Sequence, residues 1–137
     1  MIKGISHVAY TVKNMEESLN FYCNVLGFKR VFDLNRPDGR PWIVYLKVGD
    51  SQFIELFYDG SVENPWKEEL IGYSHLCLEV DDINETAAQI KSKGVKLDKE
   101  PKQGLDFNWQ CWVRDPDGNR IEIMQMSPES PQIKSLK

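Results

Sequence analysis

At 137 residues and 15.9 kDa the chain has the size of one ordinary domain, long enough to bury roughly two thirds of the surface its unfolded form exposes. A hydrophobic content of 41% with 11% aromatic residues excludes a disordered or low-complexity chain and, with 28% charged residues, a membrane protein. Seventeen basic against twenty-one acidic residues, with no basic stripe to track phosphates, exclude nucleic acid as a partner. Cys23, Cys77 and Cys111 are odd in number and embedded in apolar runs, so the reading is buried thiols in a reducing cytoplasm rather than a disulfide framework. The N-terminus runs straight into a strand-like pattern with no secretory h-region, which fits the same compartment.

In chain order, the first predicted strand is ISHVAYTV at 5–12, and it has a partner in YSHLCLEV at 73–80, with His7 over His75 and Val12 over Val80. A helix follows each. Asn14 and Asp82 are N-cap residue types with Glu17 and Glu85 three positions on, the pattern of a capping box. Met15, Leu19 and Tyr22 then match Ile83, Ala87 and Ile90, each trio on one helical stripe, and Gly27 and Gly94 stand where the helices should end.

Three strands are predicted after each helix, over 29–32, 42–48 and 52–58 in the first copy and over 95–97, 108–114 and 120–126 in the second. FIEL at 53–56 lies over RIEI at 120–123, which sets Glu55 over Glu122. Irregular stretches are expected at 33–41 and 98–107, and a tight turn at Asp-Pro-Asp-Gly, 115–118. The expected organisation is an α+β fold of two tandem βαβββ modules, 1–58 and 71–126. A polar linker at 59–70 joins them, a tail occupies 127–137, and a curved mixed sheet surrounds a metal-binding cavity.

Strand alternation tells which way the candidates point. Val8, Tyr10 and Val12 form the set a helix would cover, which leaves His7, Ala9 and Thr11 on the other face; Leu76, Leu78 and Val80 leave His75, Cys77 and Glu79 in the same way. Ile54 and Leu56 turn Glu55 outward, as Ile121 and Ile123 turn Glu122. The chain has two histidines in all, and both occupy equivalent places in a repeat detected from other residues. Two imidazoles and two carboxylates on one concavity make a suitable set for a divalent ion, Ni²⁺ or Zn²⁺ foremost and Co²⁺, Mn²⁺ or Fe²⁺ besides. Trp42, Phe53, Phe57, Trp109, Trp112 and Met124 divide between a pocket wall and the core, and none has an assigned role.

These features resemble the vicinal oxygen chelate superfamily, the group of glyoxalase I, bleomycin-resistance proteins and extradiol dioxygenases. The carriers are Ser6-His7, the helix end FYCNVLGF at 21–28, Glu55, Ser74-His75, the helix start VDDI at 80–83, and DPDG at 115–118 leading to Glu122. Fosfomycin-modifying transferases and extradiol dioxygenases in this group use two histidines and one glutamate, and methylmalonyl-CoA epimerases tend to have glutamine where Glu55 stands. The His, Glu, His, Glu order is most similar to glyoxalase I.

The resemblance implies a lyase or isomerase of the lactoylglutathione lyase type, acting on a hemithioacetal or other vicinal-oxygen substrate through an enediolate stabilised by the ion. Glu122 would be the displaceable ligand and base, while His7, Glu55 and His75 hold the metal. It also implies a homodimer, a small-molecule substrate and a cytoplasmic role in methylglyoxal detoxification. The alternatives are another enzyme of the superfamily, an epimerase or thiol transferase, or a metal-free drug-binding resistance protein. Glyoxalase I carries an arginine four residues after the first ligand, facing the γ-glutamyl carboxylate of glutathione; this chain has Thr11 there. Arg30, Arg36 and Arg40, near the first irregular stretch, are the cations available to replace it, with Lys102, Arg114 and Arg120 as others.

Overall fold

A computed structural model describes residues Met1–Lys137, which divide into two compact units, Met1–Asn64 and Pro65–Lys137. The first unit contains β1 (His7–Thr11), α1 (Met15–Leu19) continuing into a π-helical segment (Asn20–Val25), β2 (Lys29–Asn35), β3 (Pro41–Lys47) and β4 (Phe53–Phe57). Its sheet has the order β1-β4-β3-β2, with β1 parallel to β4 and the other pairs antiparallel. The second unit repeats the plan with β5 (Leu76–Glu79), α2 (Ile83–Ser92), β6 (Lys99–Gln103), β7 (Trp109–Arg114) and β8 (Arg120–Gln125), in the order β5-β8-β7-β6. This is the expected α+β fold of two βαβββ modules. In each, the closing strand lies inside the sheet, hydrogen-bonded on both edges. No helix is long and apolar enough to cross a membrane.

The helix starts follow the sequence signals. Asn14 Oδ1 accepts from the Glu17 N–H at 3.1 Å, and Asp82 Oδ1 accepts from the Asn84 and Glu85 N–H groups at 2.9 Å. Gly27 and Gly94 end the helical segments at φ of 81° and 82°, a left-handed backbone that costs glycine nothing. Ile83, Ala87 and Ile90 are fully buried, as the stripe requires.

The matching stripe in the first unit is shifted. Met15 and Leu19 are only half-buried, while Ser18, Phe21, Tyr22 and Val25 are buried. The cause is the π segment, in which the Leu26 N–H reaches the Phe21 carbonyl five residues back at 3.0 Å. The wider turn advances the inward face, so adjacent Phe21 and Tyr22 both pack inside.

Shifting the stripe brings Ser18 inside with its hydroxyl lacking a hydrogen-bond partner. An unpaired buried hydroxyl costs about 1 to 3 kcal/mol of desolvation, and alanine is also the better helix former. Ser18→Ala should therefore raise the urea midpoint and stabilise the protein by about 1 kcal/mol. A lowered midpoint would mean that Ser18 contributes something its hydroxyl contacts do not show.

Three expectations need correction. Residues 95–97 form no strand: Leu97 is a core anchor, and the strand is β6, inside the stretch expected to be irregular. Pro101 hid it. At the sheet edge a proline can forgo its N–H, and the β6–β7 register shifts between Lys99 and Lys102, around that residue. Similarly β2 runs on to Asn35, into the stretch expected at 33–41; it is an edge strand whose every residue is exposed, so polar Asp33 and Asn35 cost it little. The tail holds a short helix, α3 (Pro131–Lys134), capped by Ser130 Oγ on the Ile133 N–H. The Asp115 turn forms as expected, with Asp115 Oδ1 accepting from the Asp117 and Asn119 N–H groups at 2.9 and 2.8 Å.

Candidate functional site

Parallel pairing of first and last strands is what places a histidine beside a glutamate in each unit. In the first unit Ala9 pairs with Glu55, so His7, two residues earlier on the same face, reaches the carboxylate: Nε2 lies 3.2 Å from Glu55 Oε2. In the second, Cys77 pairs with Glu122, and His75 Nε2 lies 3.7 Å from Glu122 Oε2. Both glutamates are buried, at 6% and 7% exposure, whereas the imidazoles are more open, at 44% and 30% of the side chain. No group of three or more His, Cys, Asp or Glu side chains gathers in metal-holding fashion within either unit.

A buried carboxylate must be compensated, and the two units do this differently at Oε1. Tyr45, opposite Glu55 on β3, donates its phenolic O–H to Glu55 Oε1. That hydrogen bond, followed by burial, raises the phenol above its ordinary value and keeps it a donor. Phe32 stacks on the Tyr45 ring at 4.2 Å and holds it in place. At the equivalent place on β7 stands Trp112, which cannot reach with a hydroxyl; its ring meets His75 edge-on at 4.7 Å. Glu122 Oε1 instead accepts from the Cys77 thiol at 3.2 Å.

Although Cys77 keeps an exposed edge, burial of its sulfur and then the bond to Glu122 push the thiol up to about 12, so it stays protonated. The three cysteines are free, but only Cys111 is fully buried; Cys23 is half-buried and Cys77 exposed, contrary to expectation. Cys77 faces outward because it shares the strand face of His75.

The donor pairs suit a divalent cation. Two donors about 2.0 to 2.2 Å from one ion stand about 3.0 to 3.6 Å apart for angles of about 90° to 120°. The 3.2 Å pair lies within that span and the 3.7 Å pair just beyond it. The longer separation is past hydrogen-bond range. Ser74 Oγ is 2.9 Å from His75 Nδ1, and a proton donated from Nδ1 to that hydroxyl leaves the Nε2 lone pair turned toward Glu122. Imidazole nitrogen with carboxylate oxygen is a donor set for Zn²⁺, Ni²⁺ and their neighbours.

Tyr45 is not singled out by the sequence, and Cys77 and Ser74 are read there only as a neighbour on the His75 face and as a carrier of the resemblance, with no site role. Ser74 has a signal in its match to Ser6; that Tyr45 meets Glu55 and Cys77 meets Glu122 depends on cross-strand register. Of the proposed replacement cations, Arg30 binds Asp33 (Nε to Oδ1, 2.9 Å) and Arg40 binds Asp38 (2.8 Å). Arg36 lies over Trp42 at 5.6 Å, and Arg114 binds Asp98 at 2.6 Å. Thr11 pairs with Phe57 on the Glu55 face.

The fold recurs in known proteins. A lactoylglutathione lyase of Neisseria meningitidis is 34% identical over 126 residues, 87% of this chain and 88% of that protein. A glyoxalase family protein from Enterococcus faecalis superposes with a TM-score of 0.77 at 30% identity, over 89% of this chain and 97% of its own. An antibiotic-binding protein from Streptomyces sp. shares the fold at a TM-score of 0.70 and 25% identity, over 92% and 98%. The model of the Glyoxalase/Bleomycin resistance protein/Dioxygenase superfamily matches residues 4–123, both His–Glu pairs included, and the chain belongs to that superfamily.

Proposed function

We propose that the protein is a metal-dependent lyase or isomerase of the glyoxalase I type, with His7, Glu55, His75 and Glu122 as the ligands of one divalent ion, Ni²⁺ or Zn²⁺ foremost. The observation that carries this reading is the same imidazole–carboxylate pair in both units, at 3.2 and 3.7 Å. The name of the Neisseria relative supports the reaction class. In this reading the protein is a cytoplasmic homodimer, and the two pairs complete one site either within a chain or across the dimer.

When bound, the ion supplies Lewis acidity toward two adjacent oxygens of a hemithioacetal and orients them. The proton chemistry falls to Glu122, which takes the carbon-bound proton and returns it to the neighbouring carbon. The contrast at Oε1 supports that division of labour. A phenol gives Glu55 a strong donor and fixes its carboxylate as a ligand, whereas a thiol is a weak donor and leaves Glu122 freer to move. His75, oriented through Ser74, and His7 would hold the ion together with Glu55, leaving Glu122 as the carboxylate available to take a proton.

A second reading, sequestration of a drug without metal, is favoured by the antibiotic-binding structural neighbour. The retention of both His–Glu pairs weighs against it, since a binder needs neither. Elemental analysis of the purified protein with a hemithioacetal isomerisation assay over several thiols separates the two. Stoichiometric metal and activity restored to chelated protein by Ni²⁺ or Zn²⁺ are expected, and His75→Ala should lose metal and activity together. Protein that binds none of Ni²⁺, Zn²⁺, Co²⁺, Mn²⁺ or Fe²⁺ would overturn the proposal.

A further inference from the structure

Arg120 begins β8 on the same face as Glu122, two residues away. Its guanidinium lies against two indoles, with Cζ 3.7 Å from the Trp66 ring centre and 4.6 Å from that of Trp112. Trp112 is the cross-strand partner of Glu122 and touches the His75 ring, so this cation stands at the margin of the second unit's His–Glu pair. Three of the other arginines are neutralised by aspartates, Arg30 by Asp33, Arg40 by Asp38 and Arg114 by Asp98, whereas no ion pair engages Arg120. Lys99, whose Nζ is 5.9 Å from the Trp112 ring centre, adds positive charge on the same side.

Contact with two indole rings restrains the guanidinium and fixes its position beside the pair. No ion pair or hydrogen bond takes up its N–H donors, which form the fork that fits a carboxylate through two parallel hydrogen bonds. A single negative charge also suits this face better than a phosphate, because Glu122 and Glu79 share it.

We infer that Arg120, held against Trp66 and Trp112, is a carboxylate-binding site beside Glu122, and that the substrate carries a carboxylate that docks there. The statement about the substrate rests on the lyase reading above; the binding site does not.

The test uses the full-length protein, as purified and after chelation. Succinamate, with one carboxylate, and succinamide, with none, are titrated against tryptophan emission and by calorimetry. Succinamate should bind saturably and change the emission in both preparations, and succinamide should do neither. Arg120→Gln should weaken succinamate binding by about ten-fold or more, and Arg120→Lys, which keeps the charge and loses the fork, should fall between. Should Arg120→Gln fail to fold, Arg120→Lys and the amide comparison still decide. Unchanged affinity in the variants, no saturable signal, or tighter binding of inorganic phosphate than of succinamate would overturn the inference. Because binding is read without metal, loss of the isomerase reading would leave this result standing, and the reverse.

Discussion

Glu122→Gln should retain metal close to the level of the unaltered protein while turnover falls by about a hundred-fold to ten-thousand-fold, the range that a positioned general base supplies. An amide oxygen still offers a lone pair to a cation, but it cannot take a proton from carbon. Its place in the sheet should survive, since β8 is held on both edges and the Cys77 thiol can donate to an amide oxygen as it does to a carboxylate. His75→Ala supplies the contrast, because it removes a donor outright. Metal content and kcat measured side by side on both variants decide the matter: equal loss of metal would remove the separate role given to Glu122.

Glutathione hemithioacetals should be poor substrates. A half-buried carboxylate deprived of its bidentate arginine forfeits about 2 to 5 kcal/mol, or roughly thirty-fold to several thousand-fold in affinity. The Thr11 hydroxyl returns about 1 kcal/mol at best. Of the replacements nearest in sequence, Arg30 and Arg40 are each occupied by an aspartate and Arg36 lies over the Trp42 ring. Thiols lacking the γ-glutamyl group should therefore be preferred, and among them those with a carboxylate within reach of Arg120. The measurement is kcat/KM for methylglyoxal adducts of glutathione, of shorter thiols and of cysteinyl sugars under one metal. A glutathione adduct that matched the best of these would show another cation in the role of the missing arginine.

Much of this geometry is legible in the amino-acid sequence. The faces of β1, β4, β5 and β8 follow from alternation alone, because each carries apolar residues on one side and the candidate ligands on the other. The duplication made the His–Glu pairing predictable, since equivalent positions in a repeat take equivalent places in a fold. Less accessible was anything set by register between strands. That Tyr45 lies opposite Glu55, or Cys77 opposite Glu122, depends on hairpin lengths and bulges that one sequence does not state. Trp66 is a further case, for it sits in what reads as a polar linker, and only the tertiary structure brings it onto Arg120. The displaced β6 and the shifted helical stripe have local causes, a proline at a sheet edge and one wide turn, which periodicity cannot separate from a loop or a regular helix.

Placing each His–Glu pair on the seam between first and last strands also orders events in time. Cys77 and Glu122 are 45 positions apart in sequence and adjacent in space, and such parallel contacts form only after the entropy of a long loop has been overcome. Hairpins β3–β4 and β7–β8 can close early, since their partners are neighbours along the chain. The seam comes late. A nascent or partly unfolded module therefore carries its histidine and its glutamate apart, and the chemistry of the pair is withheld from every species except the finished one.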